Sequence, residues 1–462
     1  MNLITMRRTM VSEASQSFIL SLPLIASNLV RSATGFVGTL MVAHLGKTTL
    51  DAMALGSAVF FTLIVFFFGI LNAVSVLVSQ HFGAQDHEGV RKAVSQGFIL
   101  AILVSVPMYF IIFISPFVFR FTHESPEIIQ LATLYLHTIS LAILPFSFLI
   151  VMNQFLVGMS KTRVVLLINL LQVPIEILFT YLFVYGRFGI PKFGIAGVGY
   201  AFAVVFTLAA ICNALYIHKS KYRSFNIFEN FGKINPDYLL ELIKIGWPIG
   251  CLSVIEVALF ATITFFMGEI GADPLAAYQI LNQYIGPSIM IIFALSQVAT
   301  IRVGQAVGRN DRPAVKRAAY VNMLLGAIFM LVLWVIFIGF SKQWIGLDIN
   351  VNDPKNKGLI HYAILFFVLG GISQFFDCFR FITIGALRGL KDTDKPMRIS
   401  LVSFWLIGFP CAYVFAFTLQ AGAAGCYYGI LIGVISGLVL QLRQLKKILN
   451  QADLKKIYAV NA

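Results

Sequence analysis

Apolar stretches long enough to cross a bilayer recur along this chain near residues 16–43, 53–79, 94–118, 128–157, 164–186, 194–217, 245–268, 277–301, 318–341, 359–386, 398–418 and 424–442. A hydrocarbon core about 30 Å thick takes about 20 apolar residues in helical form, so each run can supply one span. Inside the bilayer no water reaches the backbone amides, and only helices or a closed barrel satisfy them internally. Barrel strands would alternate residue types over about ten positions, whereas Phe60 to Leu71 is a long run with no such alternation. The expected architecture is therefore an all-α integral membrane protein with twelve transmembrane helices. Composition excludes the soluble classes: of 462 residues, 59% are hydrophobic and 12% charged, against about 25% charged in soluble domains. The cysteines, Cys212, Cys251, Cys378, Cys411 and Cys426, all lie in apolar runs and show no CxxC spacing. They read as packing residues rather than a disulfide framework or a metal site.

The formal net charge of +14 reads as topology-setting Lys and Arg, not as a nucleic-acid surface, and no nucleic-acid partner is expected. With the N-terminus placed in the cytoplasm, 25 of the 34 Lys and Arg fall in cytoplasmic segments, seven in the opposite loops, and Arg31 and Arg380 within spans. Both termini are therefore expected in the cytoplasm, and the chain in the cell (inner) membrane.

The two halves repeat each other. At a fixed offset of 225, Pro23 pairs with Pro248, Gly46 with Gly271, Leu50 with Leu275, Ala52 with Ala277, Gln80 with Gln305, Gly83 with Gly308, Asp86 with Asp311 and Val90 with Val315. Farther on, Leu156 to Thr162 resembles Leu387 to Thr393 at an offset of 231. Six helices per copy is an even number, so both copies insert with the same orientation and form two six-helix bundles related by a parallel internal repeat. The expected organisation is an N-terminal lobe over 1–217, a polar cytoplasmic linker over 218–243, and a C-terminal lobe with a short basic tail over 244–462.

Five ionisable residues, Arg31, Glu176, Glu256, Asp377 and Arg380, sit well inside spans, where a charge costs about 2.5–3.5 kcal/mol on insertion scales. Glu256 is about ten residues from either end of its run, hence about 15 Å deep. Phe260 and Thr264 follow it at i+4 and i+8, and Asp377 continues a stripe with Ser373, Gln374 and Arg380. Two carboxylates meeting in one cavity form a cation site, for a proton or for Na⁺, because a bound cation removes the penalty of burying them. Arg380 also reads as the i+3 partner of Asp377, a tethered positive charge with which Na⁺ would have to compete. In the first half Asn169, Gln172 and Glu176 share a polar face, with Arg31 as the ion-pair partner of Glu176. Tyr278, Gln279 and Asn282 open the eighth run, and aromatic faces such as Phe265, Phe375 and Phe376 can hold organic cations. No Walker A loop, GxSxG elbow, HExxH pair or Rossmann fingerprint occurs, so neither ATP-driven pumping nor the common hydrolytic chemistries are supported.

The helix count, the duplicated halves, the run GALRGLKDTDKPM from Gly385 to Met397 and the run FGIPKFGIAGVGYA from Phe188 to Ala201 together resemble the multidrug and toxic compound extrusion (MATE) family, in its NorM-like branch. The resemblance covers nearly the whole chain. It implies a secondary antiporter, not an enzyme, that expels cationic or amphipathic drugs in exchange for H⁺ or Na⁺ by alternating access between two lobes. The family's cation-coupling acids match Glu256 and Asp377. The chain departs from the family at Gly38, where an aspartate is common, at Gln172 and Glu176, where many members carry asparagines, and at Arg380, where a glutamine is usual. The expected partners are the lipid bilayer and cationic drugs or dyes; the expected state is a monomer, with no cofactor beyond the coupling ion. The alternative is a flippase for lipid-linked sugars or other large amphiphiles, which Arg31 and Arg380 favour and the two deep acids oppose.

Overall fold

A computed structural model describes residues 3–121, 124–229, 232–351, 353–451 and 453–458, and these residues form helices and turns without a strand. Helix α1 spans Leu3–Ala43. It is followed by α2 (Lys47–Gly83, stepped at Asn72) and α3 (His87–Phe119). Helix α4 is a pair, Pro126–Ser140 and Ile143–Gly158, bent by 46°. Then come α5 (Thr162–Tyr185), α6 (Ala196–Lys219), α7 (Pro236–Ile270), α8 (Ala272–Gly308) and α9 (Arg312–Gly339). The last three are α10 (Lys357–Gly389), α11 (Asp394–Thr418) and α12 (Gly422–Gln451). Each of the twelve apolar runs coincides with one of these elements, three of them overrunning its helix by one or two residues. Ten helices among the described residues are long and apolar enough to cross a membrane, or eleven with the bent pair. Helix α1 covers the remaining run.

The repeat is written into the backbone. Asp86 and Asp311, paired at offset 225, are both N-caps, accepting from Gly89 N–H and Ala314 N–H at 2.9 Å, the bond that satisfies an otherwise orphaned first-turn donor. Just ahead of each cap, Gln85 and Asn310 adopt left-handed φ values of 59° and 54°. Ser160 and Lys391, paired at offset 231, do the same with 63° and 58°.

By packing, the chain divides into two compact units. One runs from Leu22 to Gly250; the other joins the segment ending at Ser21 to the chain from Cys251 onward. The division cuts α1 and α7 within a few residues of the repeat-paired Pro23 and Pro248, whereas the six-helix grouping expected from the repeat cuts between helices. In the second unit the start of α1 is held by Glu13, whose carboxylate accepts two hydrogen bonds from Arg302 on α8, each 2.7 Å. In the first unit the start of α7 is held by stacking of Tyr238 on His81 and of Trp247 edge-on against Phe66. The 218–243 segment is not a bare tether: Gln96 on α3 donates to Lys233 C=O at 2.8 Å and accepts from Asn235 N–H at 3.0 Å.

Candidate functional site

Glu256 on α7 and Asp377 on α10 meet at Arg380. The guanidinium donates from Nε to Asp377 Oδ1 at 2.6 Å and from Nη1 to Glu256 Oε1 at 2.7 Å. The three residues are 1%, 7% and 6% exposed for Arg380, Glu256 and Asp377 respectively. Asp377 and Arg380 meet because i and i+3 share a helix face. Glu256 comes from 124 residues earlier, and its arrival is a tertiary fact. The guanidinium lies 4.4 Å from the Phe381 ring centroid and 4.8 Å from that of Phe404 on α11, a separation at which a cation is attracted to the ring. Gly437 on α12 leaves room for its stem, since a Cβ there would sit 3.3 Å from Arg380 Cδ. Phe404 lies in a wide-turn stretch, Val402–Gly408, a distortion often found at functional sites. Trp405 in the same stretch donates to Ile255 C=O at 3.3 Å, tying α11 to the residue before Glu256. Helix α10 is set tightly on α8: Ser296 donates to Phe381 C=O and Thr300 to Gly385 C=O.

The first-half cluster is built differently. Asn169 on α5 donates to Ser27 Oγ on α1. Glu176 on α5 is buried and acts electrostatically on Arg31, whose guanidinium stands 5.3 Å from the Phe68 ring and 5.9 Å from that of Phe146. Gln172 is half-buried. Phe68 and Phe146 also line a small apolar pocket within this unit. The repeat offsets relate the two clusters: Arg31 plus 225 is Glu256, and Phe146 plus 231 is Asp377. Where the second half has acids around a guanidinium, the first has a guanidinium against rings.

Comparison with known proteins agrees with this duplicated plan. The MatE family profile matches residues 23–182 and again 248–414, starting each time at a repeat-paired proline. The chain belongs to the MatE family. A protein described as "Probable multidrug resistance protein NorM" from Rhizobium meliloti (strain 1021) is 34% identical over 92% of this chain and 91% of that one. "Multidrug resistance protein NorM" from Vibrio cholerae is 27% identical over 96% of this chain and 97% of its own. Among solved structures, MATE in the bent conformation superposes with a TM-score of 0.86 at 18% identity, covering 96% of this chain and 97% of that chain. A eukaryotic MATE transporter reaches 0.81 at 19%, covering 97% and 98%. MatE proteins are transporters, and this one is a multi-pass membrane transporter rather than an enzyme.

Other residues singled out in the sequence of this MatE protein fall in varied surroundings. Gln374 and Ser373 are buried beside Asp377 on α10, as the stripe requires. Phe260, expected on the face of Glu256, is 37% exposed, because four residues turn a helix by about 400° and the face drifts by about 40°. Phe265 faces away from the core, and Gln279 is exposed. Asn282 is half-buried. Tyr278 packs in the apolar core against Tyr427. Sequence reasoning passed over Phe404, Trp405, Gly437 and the Glu13–Arg302 pair. Glu13 lies ahead of the first apolar run, where a carboxylate carries no burial signal. The other three resemble ordinary apolar positions, and only the repeat offset could have pointed to Arg31 as the counterpart of Glu256.

Proposed function

We propose that this MatE transporter is a secondary active multidrug efflux antiporter, exporting cationic or amphipathic small molecules in exchange for H⁺ or Na⁺. The convergence of Glu256 and Asp377 on one water-shielded point within membrane-spanning helices carries the reading. With all three groups ionised, two carboxylates and one guanidinium leave one negative charge, which one incoming cation balances. Relatives described as multidrug resistance proteins support a drug as cargo. A cation entering from outside neutralises the acids, weakens their hold on a cationic drug and moves inward, and where net charge moves the membrane potential adds about 2.3 kcal/mol per charge per 100 mV. Access alternates between cytoplasm and exterior through the lobes 1–217 and 244–462, joined by 218–243, as in other repeat-built transporters. Asn169, Gln172, Glu176, Arg31, Gln279, Asn282, Tyr278, Phe260 and Gln374 are the candidates for contact with substrate or for shaping its path. The bias of Lys and Arg supports both termini in the cytoplasm and a cell (inner) membrane location.

The test is ethidium efflux from proteoliposomes under an imposed pH gradient and, separately, an imposed Na⁺ gradient. Transport is expected under at least one gradient, with at least a tenfold loss in the Glu256→Gln, Asp377→Asn double variant. Wild-type rates in that variant, reconstituted at equal density, would refute the assignment. Failure under both gradients, with transfer of a lipid-linked sugar instead, would favour the flippase.

A further inference from the structure

Resting on the reading of Glu256 and Asp377 as the cation-coupling pair, we infer that Arg380 is the resident cation of that pair and that Na⁺ does not bind there. Hard cations take oxygen ligands, and at this point the charged ones are the carboxylates of Glu256 and Asp377. One oxygen of each acid is already taken by Arg380, at 2.6 and 2.7 Å. Arginine stays protonated at any pH a protein experiences, so it cannot vacate the site by losing its charge.

Nor can the side chain swing aside. Its stem lies against Gly437, rings of Phe381 and Phe404 flank its head, and it is 1% exposed. Moving it would leave a buried, unpaired guanidinium, one of the costliest arrangements in a protein interior. Asp377 is on the same helix three residues away, so movement of α10 carries the guanidinium with the acid. The residues present do not fit Na⁺ unless Arg380 is removed.

The test is Na⁺ binding by the purified full-length protein, read as a saturable thermal-stability shift with NaCl against choline chloride at constant ionic strength. The wild type is expected to give no saturable Na⁺ response. Arg380→Gln is expected to gain one, and adding Glu256→Gln should remove it. Arg380→Lys, which keeps the charge, should resemble the wild type and also serves if Arg380→Gln is not monodisperse. A saturable wild-type response abolished by Glu256→Gln would overturn the inference. So would a monodisperse Arg380→Gln protein, or an Arg380→Lys protein, that departs from these expectations. Binding is read without transport, so absence of dye efflux under every gradient would sink the efflux reading and leave this one standing.

Discussion

Glu256, Asp377 and Arg380 illustrate how unequal the members of one ionic cluster are. Taking away one carboxylate leaves the other paired with the guanidinium but strands one buried N–H donor of Arg380 without an acceptor, at a cost of about 1–3 kcal/mol. Asp377 shares a helix turn with Arg380 and stays near it through helix geometry alone, while Glu256 is held only by packing. Both single alanine variants should melt well below the wild type in detergent, and Glu256→Ala should also release α7 from α10. Hydrogen exchange over α7 would show increased exchange in Glu256→Ala and less in Asp377→Ala. The Glu13–Arg302 pair, with both side chains about 10% exposed, belongs to the same class. Glu13→Ala is expected to cost about 3–5 kcal/mol, and Glu13→Ala with Arg302→Ala clearly less, because the double variant leaves no orphaned charge. Thermal melts of the two purified variants beside the wild type check the order.

At the level of elements, α8 and α10 approach until backbone touches backbone. A Cβ on Gly385 would lie 2.1 Å from Ser296 C=O, and a carbonyl fixed in a helix cannot step back as a side-chain tip can. Gly385→Val is therefore expected to destabilise by at least the roughly 1–3 kcal/mol usual for overpacking. It should also displace Arg380, because the neighbouring Phe381, whose carbonyl accepts from Ser296, lies one helix turn before Gly385. Reduced yield of monodisperse protein and a lower melting temperature would check it; an unchanged melt would mean that α8 yields. The capping pair offers a subtler comparison. Asp86→Ala and Asp311→Ala each remove one capping bond and should each cost about 1 kcal/mol. Asp86 has an added stake through His81, whose Nδ1 lies 2.9 Å from its carboxylate, so Asp86→Ala should be the more damaging in paired melts.

For the whole molecule, the distribution of Lys and Arg makes an orientation testable without knowing the substrate. In a variant lacking the native cysteines, Arg187→Cys, after α5, should react with a membrane-impermeant maleimide added to intact cells. Ser224→Cys, in the 218–243 segment, should react only after the cells are opened. The reverse pattern would invert the topology and, with it, the direction of transport. The linker's grip on α3 through Gln96 adds a structural role that its polar composition does not announce.

The helices and the repeat were legible because both are local or periodic. A run of about 20 apolar residues has few ways to satisfy its backbone in lipid, and a constant offset needs no folding to be seen. The depth of Glu256 and Asp377 followed from counting residues along a helix, and the Asp377–Arg380 contact from a three-residue spacing. Contacts across long separations in sequence were not legible in this way. That Glu256 reaches Arg380, that Phe404 and Gly437 shape its pocket, and that α1 and α7 each divide between packing units depends on how helices meet. Sequence determined which groups would be costly to bury in the membrane; tertiary structure decided which partners offset that cost, because a buried charge is stabilised only by groups that packing brings within a few ångströms.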